Sequence, residues 1–222
     1  MNQNEKKESA AKKALELIKT SLHKESVLGI GTGSTTNLFI KSFLEAEIEI
    51  KGVVCSSLAS ENLFKGSSHH VLSLNDVYGI DFYIDGADEF NERLELIKGG
   101  GAALTREKIL AHSSNKFFCI VDDSKKVDKL GKFPLPIEVI EIARSAISRE
   151  VLKMGAKPVF RQSITTDNGN QIIDVHNLNL DVPYDIEEKI NNIPGVVENG
   201  IFAKRKADKI ILSTDNGIKI IE

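Results

Sequence analysis

The chain has 222 residues, 41% hydrophobic and 27% charged, with a formal net charge of -3. That length suits a full-sized domain carrying a smaller companion, and the charge balance gives no reason to expect nucleic acid as a partner. No apolar stretch reaches membrane-spanning length and the charged N-terminus lacks a signal-peptide core, so a small-molecule ligand in a reducing cytoplasm is expected.

Ala10, Ala14, Leu17, Ile18 and Leu22 recur at helical spacing and predict a helix over residues 9 to 22. "SVLGIG" follows as a buried strand running into glycines, then "TNLFIKSFLEA" as a helix, "EIKGVVCSS" as a strand and "ENLFKG" as a helical piece. "IDFYID" and "LELIK" read as further strands, "AALTREKILAHS" as a helix and "KFFCIVD" as another strand. Strands alternating with helices, several apolar on both faces, predict a parallel α/β sheet covered by helices. Cys55 and Cys119 lie inside two of the short apolar runs and read as buried thiols, neither a disulfide nor a metal pair.

The prolines of "KLGKFPLP" interrupt this rhythm and mark a domain crossing. Beyond them "IEVI", "EIARSAISREVLKMG", "KPVFRQS", "QIIDVHNL", "YDIEEKINNIP" and "GIFAKR" give the order βαββαβ, the split pattern of a ferredoxin-like α+β unit. "KADKIILSTDNGIKII" supplies two closing strands about a "DNG" turn, returning to the first sheet. The expected division is a catalytic domain of residues 1-130 and 207-222, with residues 131-206 as the inserted domain.

"GIGTGSTTNLF" follows a strand and opens a helix, so its N–H groups can hold an anion such as phosphate, assisted by the hydroxyls of Ser34, Thr35 and Thr36. Thr36 stands where a dinucleotide fingerprint needs its third glycine, and no phosphate-loop lysine motif is present. Asp85 ends the strand "IDFYID", at the edge where open α/β sheets gather ligands. Gly86 turns the chain so that Asp88 can face the same space. Two such carboxylates can bind sugar hydroxyls, pass protons or hold a metal. The calcium-loop pattern fails at Ala87 and Phe90, while the stretch by itself leaves magnesium open.

Lys98 ends the next strand and would arrive beside the acidic turn if the two strands were neighbours. Gly99, Gly100 and Gly101 then let a ligand approach bare backbone. On the helix after them, Arg106 and Glu107 fall in the apolar sector with Ala102, Ala103, Leu104, Ile109, Leu110 and Ala111. An inward carboxylate needs a partner or a task; a structural Arg106–Glu107 pair is the plainer account of it. Lys125 follows the strand "FFCIVD" as a second cation at the sheet edge. His69 and His70 adjoin without a third ligand at metal spacing and read as a surface pair. A phosphate loop, two carboxylates, a lysine and an inward glutamate are the parts needed to move a proton next to a sugar-phosphate carbonyl.

"GTGSTT", "DGADE", "IKGGGAALTREK", "KFPLPIEV", "TDNGN" and "IPGVVENGIFA" together closely resemble the type A ribose-5-phosphate isomerase family, from about Ser9 to the C-terminus. The resemblance implies a Rossmann-like domain with a ferredoxin-like insertion, assembled as a homodimer or homotetramer. It implies interconversion of ribose 5-phosphate and ribulose 5-phosphate in the pentose phosphate pathway, without metal or organic cofactor. Substrate would be bound by Thr32, Gly33, Ser34 and Thr35, by Asp85, Gly86, Ala87 and Asp88, by Lys98, Gly99, Gly100 and Gly101, and by Lys125. Glu107 would be the general base, working through a cis-enediol, and Lys98 would steady its negative oxygen. Asp85 is expected to open the sugar ring and shuttle protons, with Asp88 holding hydroxyls. Lysines near the N-terminal helix assist phosphate binding in the family, and the resemblance leaves open whether Lys12, Lys13 or neither takes that place here.

Two rivals come from other classes. A sugar-phosphate sensor would keep the glycine loop without needing Glu107, but would carry a helix-turn-helix for which the residues before the first helix leave no room. A coenzyme A transferase relative would use its glutamate as a nucleophile and leave Asp85 and Asp88 without a purpose.

Overall fold

The computed structural model describes all residues, Met1–Glu222. In chain order the elements are α1 (Gln3–Lys19), β1 (Val27–Ile30), α2 (Ser34–Glu45), β2 (Gly52–Cys55), α3 (Leu58–Asn62), β3 (Ile80–Asp85), β4 (Glu89–Phe90), β5 (Leu96–Ile97), α4 (Leu104–His112) and β6 (Ser114–Asp122). They continue with β7 (Leu135–Val139), α5 (Arg144–Lys153), β8 (Lys157–Phe160), β9 (Gln171–His176), α6 (Pro183–Asn191), β10 (Val196–Asn199), β11 (Ile201–Phe202), β12 (Lys209–Thr214) and β13 (Gly217–Ile221). The chain forms two compact units, Met1–Gly86 with Ile109–Lys125 and Ala207–Glu222, and Ala87–Lys108 with Lys126–Lys206.

The first unit is built on a six-stranded sheet in the order β13-β12-β6-β3-β1-β2. Its pairs are parallel except β12 with β13, which close as a hairpin. β1 is buried along its whole length, as a strand inside such a sheet must be. Ala10, Ala11, Ala14, Leu15 and Ile18 of α1 pack with Phe39, Ile40 and Phe43 of α2 against Leu28, Ile30, Ile84, Phe118, Ile120 and Ile211 of the sheet. The alanine stripe brings α1 close to the strands. This helix begins at Gln3 and stops at Lys19, six residues earlier at its start than the apolar spacing predicts. The cause is a capping box: Asn2 Oδ1 accepts from the Glu5 N–H at 2.9 Å while Glu5 accepts from the Asn2 N–H at 2.8 Å.

The second unit contains β7-α5-β8-β9-α6-β10, with a four-stranded antiparallel sheet in the order β10-β7-β9-β8. That is the ferredoxin-like arrangement expected. Leu135, Ile137 and Val139 alternate inward along β7 and meet Ile147 and Val151 of α5, Ile190 of α6 and Ile173 and Val175 of β9. The fourth strand is "VVEN", however, and "GIFAKR" is not that strand. Gly200 breaks the run, and Ile201–Phe202 forms β11 of a small antiparallel sheet, β11-β5-β4. "LELIK" belongs there too, as β5, and is not a strand of the parallel sheet. Because β5 is hydrogen-bonded to β11, residues 87–108 pack in the second unit, although the sequence reading put them within 1-130.

Candidate active site

Where β1 ends, the chain passes the carboxylate that ends β3. A Cβ at Gly31 would lie 1.9 Å from the Asp85 Cγ, so only glycine fits. Given that clearance the fully buried Asp85 accepts from the N–H of Thr32 at 3.0 Å and of Gly86 at 2.7 Å, from the Thr36 hydroxyl at 3.3 Å, and from the Tyr83 hydroxyl. Buried carboxylates persist when donors surround them, and these four bind strand end, glycine loop and first helical turn into one corner. Thr36 therefore turns inward to Asp85, away from the role in phosphate binding its hydroxyl suggested.

The rest of the loop faces outward. Thr32 Oγ1 lies 2.8 Å from Ser56 Oγ and donates to Ser57 Oγ at 2.9 Å, and the Ser60 hydroxyl donates to the Gly31 carbonyl at 2.5 Å. The serines after β2 thus brace the loop from behind. Gly33 caps α2 at φ 120° with no side chain of its own, so the helix opens with bare backbone at Ser34 and Thr35. Lys7 of α1 donates to Ser34 Oγ at 2.9 Å. Lys12 and Lys13 do not share this place: they pair with Glu8 and Glu16 on their own helix, at 2.6 and 2.7 Å. Lys7 lies outside the helix that the apolar spacing predicts, because the capping box starts α1 at Gln3. Lys125 ends a single helical turn, Asp123–Lys125, directly after β6. That turn is fixed by Asp122 Oδ1, which accepts from the Ser124 N–H at 2.9 Å, and by Lys6, which donates to Asp123 Oδ2 at 2.9 Å.

In the second unit Asp88 and Lys98 are brought together by antiparallel pairing of β4 with β5, not by the parallel adjacency expected. The Asp88 N–H donates to the Ile97 carbonyl at 2.8 Å, and Asp88 Oδ2 accepts from the Gly100 N–H at 2.8 Å. A Cβ on Gly100 would sit 2.7 Å from Asp88 Oδ1, which explains a glycine there. Lys98 and Glu107 are both almost wholly buried, with Nζ 3.2 Å from Oε2, and Lys98 Nζ lies 5.6 Å from the centroid of the Phe202 ring.

Glu107 is thus partnered by Lys98 and not by Arg106. Arg106 donates from Nε to Asn168 Oδ1 and from Nη2 to the Asp167 carbonyl, each at 2.8 Å. The flanking residues tether this turn of α4. Thr105 donates to the buried Glu138, and Lys108 donates to Glu187 at 3.0 Å, Glu198 at 2.9 Å and the carbonyls of Asn199 and Ile201 at 2.7 Å. Ile109, expected inside, is exposed, because the inward face of α4 is set by Leu104, Glu107, Lys108, Leu110 and Ala111. A buried cation beside a buried carboxylate, next to three flexible glycines, can take a proton from carbon and hold the oxyanion that results.

The remaining candidates are structural. His69 is not a plain surface residue: its ring lies 4.6 Å from that of Phe43, and burial, then His70, hold its pKa below the usual histidine range. Cys119 is buried as expected, while Cys55 is half-buried with its thiol pushed up to about 12, first by burial and then by Glu61.

The model of the family described as Ribose 5-phosphate isomerase A (phosphoriboisomerase A) matches residues 52–217. The crystal structure of ribose 5-phosphate isomerase A from Neisseria gonorrhoeae is 50% identical, covers 99% of this chain and 97% of its own, and has a TM-score of 0.95. The enzyme of the same name from Methanocaldococcus jannaschii is 40% identical over 98% of both chains, with a TM-score of 0.91. A D-ribose-5-phosphate isomerase solved in complex with phospho-erythronic acid is 43% identical over 100% of both, with a TM-score of 0.94. With a family match over well above half of its length and relatives this similar from end to end, the chain belongs to the ribose 5-phosphate isomerase A family.

Proposed function

We propose that this chain interconverts D-ribose 5-phosphate and D-ribulose 5-phosphate in the non-oxidative pentose phosphate pathway, with Glu107 as its general base. The observation that carries this is the buried Lys98–Glu107 pair at 3.2 Å, in a chain whose relatives bear that enzyme name. Glu107 takes the proton from C2 of the open-chain aldose, and the electron pair moves through C2–C1 onto the carbonyl oxygen, giving a cis-enediol. A proton then passes from O2 to O1, and Glu107 returns its own to C1, leaving the ketone at C2. Lys98, already beside the carboxylate, steadies the negative oxygen as charge leaves Glu107.

Phosphate binding is assigned to Thr32, Gly33, Ser34 and Thr35 with Lys125, and to Lys7, whose ammonium already reaches Ser34. Gly86, Ala87 and Gly99 to Gly101 supply backbone to the sugar. The two carboxylates divide by what each has to spare. Asp85 spends its oxygens on four donors of its own unit, whereas Asp88 accepts from Gly100 through Oδ2 only. Ring opening, proton traffic among the oxygens and hydroxyl binding are therefore assigned to Asp88, and support of the glycine loop to Asp85, in place of the expected division.

A sensor without turnover is not favoured, since it would have no use for Glu107 held against Lys98. No helix is long and apolar enough to cross a membrane, neither cysteine is in a disulfide, and we place the protein in the cytoplasm as a homodimer or homotetramer. The test is ribulose 5-phosphate formation from ribose 5-phosphate in excess EDTA, with Glu107→Gln beside the parent. Turnover that survives chelation and collapses in the variant supports the reading. Saturable binding of the sugar phosphate with no turnover by the parent overturns it in favour of the sensor.

A further inference from the structure

The triple-glycine loop is held from outside by a residue that neither the motif nor the family reading singles out. Arg161 follows β8, where its N–H donates to the Ile172 carbonyl at 3.0 Å. Its guanidinium is oriented by Asp174 of β9, which accepts from Nε at 2.8 Å and also from Nη2. This fork leaves Nη1 to donate to two successive carbonyls, those of Gly99 at 3.0 Å and Gly100 at 3.2 Å. The Gly99 carbonyl also accepts from the Ala102 N–H at 3.0 Å, closing a tight turn.

In a planar trans peptide the C=O and the following N–H point in opposite directions. Fixing the carbonyls of Gly99 and Gly100 on Arg161 therefore aims the N–H groups of Gly100 and Gly101 away from it. The first of these meets Asp88 Oδ2 at 2.8 Å; the second follows a carbonyl held by the same Nη1, so peptide planarity directs it away from the guanidinium as well. Glycine peptides rotate easily, so without the guanidinium nothing in the loop's own covalent structure would keep this orientation.

We propose that Arg161 is a positioning residue for the isomerisation: through the Gly99 and Gly100 carbonyls it aims the Gly101 N–H at the substrate oxygen that becomes negative in the enediol. This rests on the reading that Lys98 to Gly101 contact the substrate. A lysine cannot replace it, because a single ammonium does not reproduce a fork that grips Asp174 on one edge and two carbonyls on the other.

The test compares Arg161→Lys, Arg161→Met and Asp174→Asn with the parent for kcat, KM, and binding of phospho-erythronic acid and of inorganic phosphate. The carboxylate of phospho-erythronic acid stands in for the planar, negative enediol. Both Arg161 variants are expected to lose kcat by about a hundredfold, the cost of a misplaced catalytic donor. Their affinity for phospho-erythronic acid falls in step with kcat, while inorganic phosphate binds as in the parent. Asp174→Asn, which keeps the guanidinium but loosens it, shows the same pattern at a smaller factor and decides the matter should the Arg161 variants not fold. Parental kcat in a folded variant with a lowered melting temperature overturns the proposal in favour of a purely structural role. Equal loss of phosphate and phospho-erythronic acid binding overturns it as well, since the whole site would then have collapsed. Failure of the function reading is seen separately, as absence of ribose 5-phosphate turnover by the parent.

Discussion

Lys98 Nζ stands 3.2 Å from Glu107 Oε2, and the two side chains are only 3% and 4% exposed. They reach each other from different elements, the end of β5 and the first turn of α4. Desolvating both charges costs several kcal/mol each, and removing one partner is more damaging than never having built the pair. In the proposed reaction the negative charge passes from the carboxylate to the substrate oxygen while the ammonium stays in place. The site therefore keeps the same net charge on either side of proton transfer.

The two halves of this pair are predicted to fail differently. Glu107→Gln keeps the size and polarity of the side chain beside Lys98, so the fold and ligand binding persist, at some cost in stability, while kcat falls by about 10²–10⁴-fold, the usual worth of a general base. Lys98→Met also loses turnover, but it leaves the Glu107 carboxylate buried without its cation and lowers stability by about 3–5 kcal/mol. Kinetics and urea unfolding on both variants check this. A Lys98→Met protein as stable as the parent would show that the Glu107 carboxylate does not depend on the ammonium for its burial.

Asp85 and Asp88 should separate in the same experiment. Asp85→Asn points an amide N–H₂ toward donors in a buried corner and is expected to destabilise by about 1–3 kcal/mol, the cost of unsatisfied buried polar groups. Asp88→Asn alters a half-buried carboxylate and is expected to leave unfolding within about 0.5 kcal/mol of the parent while lowering kcat. A stable Asp85→Asn protein with lost turnover, beside an active Asp88→Asn, would restore the opposite division of roles.

Much of this was legible from local pattern. Strand-then-glycine placed Asp85 at a sheet edge, period 3.6 turned Glu107 inward, and the alternation of elements revealed both sheets. What escaped were contacts that no local pattern encodes. β5 and β11 are two-residue strands, too short to state a partner, so the sequence assigned "LELIK" and "GIFAKR" to larger sheets. Tyr83 could have been noticed, since it lies two residues before Asp85 and so on the same strand face. Arg161 could not, because its partners, Gly99 and Gly100, stand about sixty residues earlier in the chain and offer only backbone carbonyls.

The N-terminal helix is expected to report on acid. Asp215, in the turn between β12 and β13, is held below the ordinary carboxylate range by the N-terminal amine of Met1 and by Lys6, both 3.1 Å away. A depressed folded-state pKa means that its stabilising effect is fully present above the unfolded value near 3.8 and is lost as pH falls through the lower folded value. Asp215→Asn should therefore melt below the parent at neutral pH, and the gap should close on acidification below pH 3.8. Melting curves from pH 7 down to pH 3 check the sign; a gap that widens in acid contradicts it.

Lys7 offers the cleanest separation of binding from chemistry. Its ammonium touches Ser34 in the first turn after the glycine loop, where the proposed function assigns phosphate binding and no proton exchange. A contact made equally in ground state and transition state changes KM and leaves kcat alone. Lys7→Ala is accordingly expected to raise KM for ribose 5-phosphate by about tenfold, in line with a lost hydrogen bond to a charged group, at unchanged kcat. Because the Lys7–Ser34 contact is exposed, added salt should narrow the difference between variant and parent. Lys12→Ala and Lys13→Ala remove only pairs within α1 and should match the parent in both constants. A Lys7→Ala enzyme with parental KM would take that residue out of the phosphate site and leave the backbone of the loop and Lys125 to hold the anion.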